Sequence, residues 1–293
     1  MTVSLVGVLL VIGSAAAYSV LDLARKVLVV RIPTAALLFY LSIGQLPFFA
    51  AWMVLAGSGA VGSGYFLPAA VSVILNIAAN LLFMEAVRLS PLSLTVPFLA
   101  LTPVFTTLLG IPLLGEVPGA LQWAGVAVVV VGAFQLNLGS AVGGSPRAAW
   151  RAFLSEPGSL LMVLVSLCWS LAMPLDKLAL VHADVATHGF VLNAGVAGGV
   201  LGFLILRRQT ADLRTVSRGW VLLAAGVLVS VIGLALLLLS LAHLWVAVAE
   251  TLRRGFGSIS ALILGRWMFH EPITTAKVIG VVLMSIGVAL ILL

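Results

Sequence analysis

Charge is what this chain has least of. Asp, Glu, Lys and Arg make up 8% of its 293 residues, where a soluble domain carries about 25%, so no segment is polar enough to form a separate soluble domain. A single cysteine, Cys168, excludes an intrachain disulfide and any CxxC metal or redox pair. No HExxH, P-loop or GxSxG pattern occurs, and His270 has no second ligand at metal spacing. Nothing in the residues therefore argues for an enzyme, a metal or another cofactor. A basic n-region is also missing ahead of the first apolar run, so MTVSLVGVLLVIGS reads as a retained first helix rather than a cleaved signal.

What fills the chain is apolar. Hydrophobic residues are 62% of it and the mean hydropathy is +1.27. A bilayer core about 30 Å thick needs about 20 apolar residues per helix, and the sequence is nearly continuous in such segments. It reads as a multi-pass protein of the cell (inner) membrane, with the lipid bilayer as its solvent. The net charge of +6 would suggest nucleic acid in a soluble protein. Here Lys and Arg lie mostly in short loops, where they set topology, so no nucleic-acid partner is expected.

Turn residues and charges divide the apolar sequence into ten expected spans, at about 3–22, 33–56, 66–88, 92–113, 119–138, 157–175, 188–206, 219–241, 244–265 and 273–292. The longest connection, 139–156, lies near the middle. On either side of it the sequence repeats. YSVLDLARK at 18–26 aligns with WSLAMPLDK at 169–177, pairing Ser19 with Ser170 and Lys26 with Lys177, and Glu116 aligns with Glu271 near the end of each half. Each half, 1–138 and 157–293, is thus a five-helix unit. An odd number of spans makes the two units insert with opposite orientation, the inverted-repeat plan of many secondary transporters. The expected fold is an all-α polytopic membrane protein of ten transmembrane helices in two inverted five-helix repeats. Of the fifteen basic residues, twelve fall at odd-numbered loops and only Lys177 at an even one. By the positive-inside rule this bias puts both termini outside the cytoplasm.

The two remaining basic residues lie in ETLRRGFGS, 250–258. Reading 220–250 as one long span would move Arg253 and Arg254 into a loop on the side depleted of positive charge. The repeat instead sets them opposite Phe98 and Leu99, inside the membrane. A central charge costs about 2.5 to 3.5 kcal/mol on insertion scales, so three charges in one helix need partners. Glu250 precedes the arginines by three and four residues, which puts all three on one helical face and lets the carboxylate pair with either guanidinium. The second arginine is then answered by Asp22, Asp176 or Glu85 from a neighbouring helix, or by a substrate. Intramembrane ionisable groups are functional candidates. Guanidinium groups bind carboxylates and phosphates bidentately, and Glu250, separated from its partner, becomes a proton-coupling candidate.

Other polar residues are ranked around this triad. Asn76 and Asn80 share one face of the third span and can contact substrate or cross-link helices. Tyr18, Asp22 and Trp169, with Asp176, sit on the first helix of each half, where an aromatic can stack on a cation or anchor at the interface. Asn193 and Gln45 are further candidates. Glu116 and Glu271 follow tight turns and read as caps of the helices they open.

The stretch AVRLSPLSLTVPFLALTPVFTTLLGIPLLGE at 86–116 resembles the signature of EamA-type carriers of the drug/metabolite transporter superfamily, with its Ser-Pro-Leu-Ser turn, its prolines in the fourth helix and its Gly-Glu before the fifth. RRGFGSISALILGRWMFHEP at 253–272 is similar to the corresponding stretch of the second half. The resemblance covers essentially the whole chain. It implies a central cavity lined by the first four helices of each half, alternating access, and export of small metabolites such as amino acids. It also implies termini in the cytoplasm, against the charge bias. The expected function is secondary transport of a small polar, carboxylate-bearing metabolite, with the carrier a monomer or homodimer. The rivals are a broad exporter of hydrophobic cationic drugs and a non-transporting scaffold or lipid-handling protein.

Overall fold

The computed structural model describes residues 4–89, 96–138, 157–269 and 275–292, and these are helical apart from short turns. The first half contains α1 (Leu5–Leu28), α2 (Thr34–Ala56), α3 (Phe66–Leu89), a 3-10 segment (Val96–Leu101) running into α4 (Thr102–Leu114), and α5 (Ala120–Leu138). The second contains α6 (Pro157–Leu180), α7 (Val185–Leu206), a 3-10 segment (Thr210–Arg218), α8 (Trp220–Ser240), α9 (Val246–Phe269) and α10 (Thr275–Leu292). These are the ten expected helices. Among the described residues α1, α2, α3, α6, α7 and α8 each contain a stretch long and apolar enough to cross a membrane. Their outward faces expose Leu9, Leu55, Ile74, Leu206 and Ile232, a surface suited to lipid.

Local signals fix the ends. Asp184 caps α7, its Oδ1 accepting from Thr187 N at 2.9 Å. Gly57 and Gly115 close α2 and α4 in the left-handed region, at φ 62° and 68°, which glycine adopts without steric cost. The turn at Gly115 carries the next residue, Glu116, into the interior.

The packing shows the inverted repeat directly. Helix α1 lies on α8 as α6 lies on α3, α1 contacts α9 as α6 contacts α4, and α2 meets α7. Individual bonds repeat as well. Ser19 Oγ donates to Gly257 O at 3.3 Å, and its counterpart Ser170 donates to Thr102 O at 3.0 Å. Helices α5 and α10 pack most closely of all at Gly125 and Gly287. A Cβ on Gly125 would stand 2.7 Å from Gly287 O, and one on Gly287 would stand 2.7 Å from Gly125 O, the close approach that small residues permit between membrane helices.

The break expected between 219–241 and 244–265 is present, since α8 stops at Ser240 and α9 begins at Val246. Two expectations change. First, α1 and α6 run on to Leu28 and Leu180, beyond the ends expected at 22 and 175, because Asp22 pairs with Arg25 along α1 while Asp176 pairs with His188 and Lys177 with Glu116. Second, Phe98 and Leu99, the counterparts of Arg253 and Arg254, belong to the 3-10 segment rather than to an α-helix. Pro97 within it and Pro103 two residues after it lack N–H donors. Glu271, His270, the Ser-Pro-Leu-Ser turn and the connection at 139–156 lie outside the described residues.

Candidate functional site

Helix α9 carries the triad in its second and third turns. Glu250 is fully buried, and both of its oxygens are taken. Oε2 accepts from Arg253 Nε at 2.8 Å and lies 2.7 Å from Nη2 of the same guanidinium, while Oε1 accepts from Arg254 Nε at 2.7 Å. Both arginines therefore share one carboxylate. The sequence expectation left one of them without a local partner; the three-four spacing proves able to serve both. Asp22 and Asp176 are engaged elsewhere, Asp22 with Arg25 at 3.3 Å and Asp176 with His188 at 3.2 Å.

Two aromatics complete the charged group. The Arg253 guanidinium lies over Tyr18 at 5.6 Å, and that of Arg254 over Trp169 at 5.4 Å. Tyr18 and Trp169 occupy matching positions in the repeat, so the two halves each present a ring to one arginine. Such contacts contribute about 1 kcal/mol each where partly desolvated. The group still carries one net positive charge, and Arg254 Nη2 is buried with no hydrogen-bond acceptor among the described residues.

Tyr18 also forms a wall of a cavity of about 90 Å³, bounded further by Arg25, Gln45, Asn76, Asn80 and Asn193. The space is below the roughly 300 Å³ at which small-molecule pockets begin, so it holds a functional group rather than a whole metabolite. Its amides are oriented by their own helices. Asn76, Asn80 and Asn193 donate to carbonyls one turn back at 3.0, 2.8 and 2.8 Å, and Gln45 donates to Leu41 O at 3.1 Å. Gln45 Oε1 is buried and has no hydrogen-bond partner among the described residues.

The structure thus brings Tyr18, Asn76, Asn80, Asn193 and Gln45 to one cavity, with Arg253 against the outer face of Tyr18. Trp169 and Arg254 stand together beside the triad, and Asp22 faces outward. Sequence reasoning missed Arg25, counted there as a topology charge. It lines the cavity, and its Nε is buried without an acceptor among the described residues. The available signal was Asp22 three residues earlier, a spacing at which the pair stays on the helix instead of ending it.

Glu116 differs from its expected role. It caps α9 of the other half and not its own helix, accepting from Val246 N at 2.7 Å through Oε2, while Oε1 accepts from Lys177 Nζ at 2.6 Å. Lys177 also donates to Leu244 O at 2.7 Å. The lone basic residue at an even loop is therefore a structural clamp that holds the start of α9, and with it the triad, against α6.

The EamA-like transporter family model matches residues 5–138 and again 156–293. The chain belongs to this family, which makes it a multi-pass membrane transporter. A solved crystal structure covering 97% of this chain and 95% of its own length superposes with a TM-score of 0.72 at 17% identity, a likeness that shows the fold alone. No curated protein matches the chain.

Proposed function

We propose that the protein exports a small polar metabolite bearing a carboxylate, by alternating access between its two halves, and that the movement is coupled to protons. The observation that carries this reading is the shared carboxylate at Glu250. Two partly buried guanidiniums sharing one carboxylate attract an anionic group, and Arg254 Nη2 offers it an unused donor. A substrate carboxylate arriving there competes with Glu250 for a guanidinium. Displaced from it, Glu250 is free to take a proton, which is the sense in which it is the coupling candidate. The amides of Asn76, Asn80 and Asn193 supply neutral hydrogen bonds to the rest of the molecule, and Tyr18 moves with Arg253 because the two are stacked.

The small cavity fits one stage of such a cycle, with the substrate path opened when the halves rock apart. In the proposed orientation both termini lie outside the inner membrane, on the charge bias of the loops, and reporter fusions at the C-terminus test it. The functional reading is tested by comparing metabolites in the medium of cells expressing the wild type and Arg254→Leu. Carboxylate-bearing compounds enriched by the wild type alone support it. Resistance to cationic drugs conferred equally by both proteins supports the drug-exporter alternative instead.

A further inference from the structure

Beyond the triad, a second buried polar chain runs from the cavity to one end of the bundle. Asn76, in the cavity wall, donates to Ser72 Oγ at 3.2 Å. Ser72 Oγ donates to Asp176 Oδ1. The same oxygen lies 3.2 Å from His188 Nε2, and His188 Nδ1 is 3.0 Å from the Tyr65 hydroxyl. Ser72, His188 and Tyr65 are 1% exposed or less, and Asp176 is 7% exposed. Five residues from α3, its entry turn, α6 and α7 thus form one continuous line.

We propose that Asp176 and His188 form a proton-binding site that is read at the substrate cavity through Ser72 and Asn76. This rests on the reading of the protein as a proton-coupled transporter and adds to Glu250 a second site that the coupling requires. Histidine is the side chain whose charge changes near neutral pH, and chains of Asp and His inside membranes serve as proton relays. The geometry accommodates both charge states without rearrangement. With the imidazole neutral, the Tyr65 hydroxyl donates to Nδ1 and Nε2–H donates to Asp176. With it protonated, Nδ1–H donates to the Tyr65 oxygen, because a phenol both donates and accepts. Tyr65 itself remains a phenol, since burial and then the Asp176 and Asp184 carboxylates push it up to about 12.

The groups around the pair permit this. From α7, Asp184 precedes His188 by one turn and is bonded to Thr187. His182, before α7, lies against Gly62 and Gly64. On α6, Lys177 is turned to Glu116, and from α1 the Tyr18 hydroxyl is within electrostatic reach of Asp176. On the α2 side His188 has an apolar neighbourhood, with Phe49 against Gly189. His188 is the basic side chain that pairs with Asp176. Glu250 differs in that proton uptake there must first displace a guanidinium.

The test uses full-length protein in lipid. Imidazole resonances are followed by NMR in nanodiscs from about pH 5 to about pH 9, a range that spans the ordinary histidine transition, with His188 assigned by loss of its signal in His188→Gln. The expected result is that the His188 resonances report a change of protonation within this range and that Asp176→Asn alters that response. A His188 that keeps one protonation state throughout overturns the proposal. Liposomes then give the functional reading, with a mixture of radiolabelled amino acids as probe. At equal pH on both sides, Asp176→Asn and His188→Gln should support counterflow like the wild type. Under a one-unit pH difference, which drives at most about tenfold accumulation per proton exchanged, they should accumulate nothing. Gradient-driven accumulation by His188→Gln equal to wild type overturns the coupling role. Absence of wild-type counterflow counts against amino-acid transport, while the NMR titration still decides the proton site.

Discussion

Glu250 and Arg254 should respond in opposite ways to substitution. Arg254→Leu removes a charge that costs about 3 kcal/mol to insert and adds a leucine that favours insertion by about 0.5. Against this it loses one charged hydrogen bond, about 2 kcal/mol, and the contact with Trp169, about 1 kcal/mol. Glu250 keeps Arg253 at 2.7 and 2.8 Å, so no charge is stranded and the sum is near zero. Glu250→Gln keeps the shape but leaves two guanidiniums, 15% and 18% exposed, with no counter-ion. Breaking a buried ion pair from one side costs about 3 to 5 kcal/mol, and the partial exposure favours the lower end. The assay is thermal unfolding of the purified protein in detergent, with the amount inserted measured in parallel. At about 2 °C or more per kcal/mol, Glu250→Gln should melt about 6 °C or more below the wild type, while Arg254→Leu stays within about 2 °C. Equal losses in the two variants would refute the shared-carboxylate account.

The remaining predictions concern the frame that holds the site. Glu116→Gln should lower the melting temperature by several degrees, since charged hydrogen bonds are worth about 1.5 to 3 kcal/mol. Because Lys177 shares that bond, the double variant with Lys177→Met should be little worse than either single one. Asp184→Ala removes a helix cap and should cost about 1 kcal/mol near neutral pH. Burial acts to raise the Asp184 carboxyl, but hydrogen bonds from Thr187 outweigh it and hold it below its ordinary 3.8. Its contribution is therefore present above 3.8 and lost as pH falls through the lower folded value, so the difference between wild type and variant should shrink only in strong acid. Gly125→Leu would press a side chain against Gly287 O at 2.7 Å and Ile291 Cγ1 at 2.5 Å; overpacking of about 1 to 3 kcal/mol should appear as reduced yield and an earlier melt.

Much of this architecture could be read from residues alone, for a physical reason. Apolar length fixes how many times a chain crosses lipid, so the ten spans appeared with ends displaced by only a few residues, and the Ser19 and Ser170 pairing anticipated a bond that the structure makes twice. The triad was legible because spacing on a single helix determines which charges can meet. Contacts between helices far apart in sequence were not. Glu116 looked like a cap for its own helix, and only tertiary packing shows it serving Val246, 130 residues away. Arg25 and Lys177 were counted as topology charges because loop charges and buried ones look alike until their partners are known. His188 carried no signal at all, since a lone histidine in an apolar segment acquires meaning only from Asp176 and Tyr65.

The central claim is that the arginine pair on α9 receives the anionic group of a transported metabolite. Counterflow at equal pH tests it most directly, in liposomes containing the wild type or Arg254→Leu and with a carboxylate-bearing metabolite enriched in the medium by the wild type as probe. The account predicts counterflow by the wild type and none by Arg254→Leu, although both are equally well inserted. Counterflow of the same rate through both would contradict it.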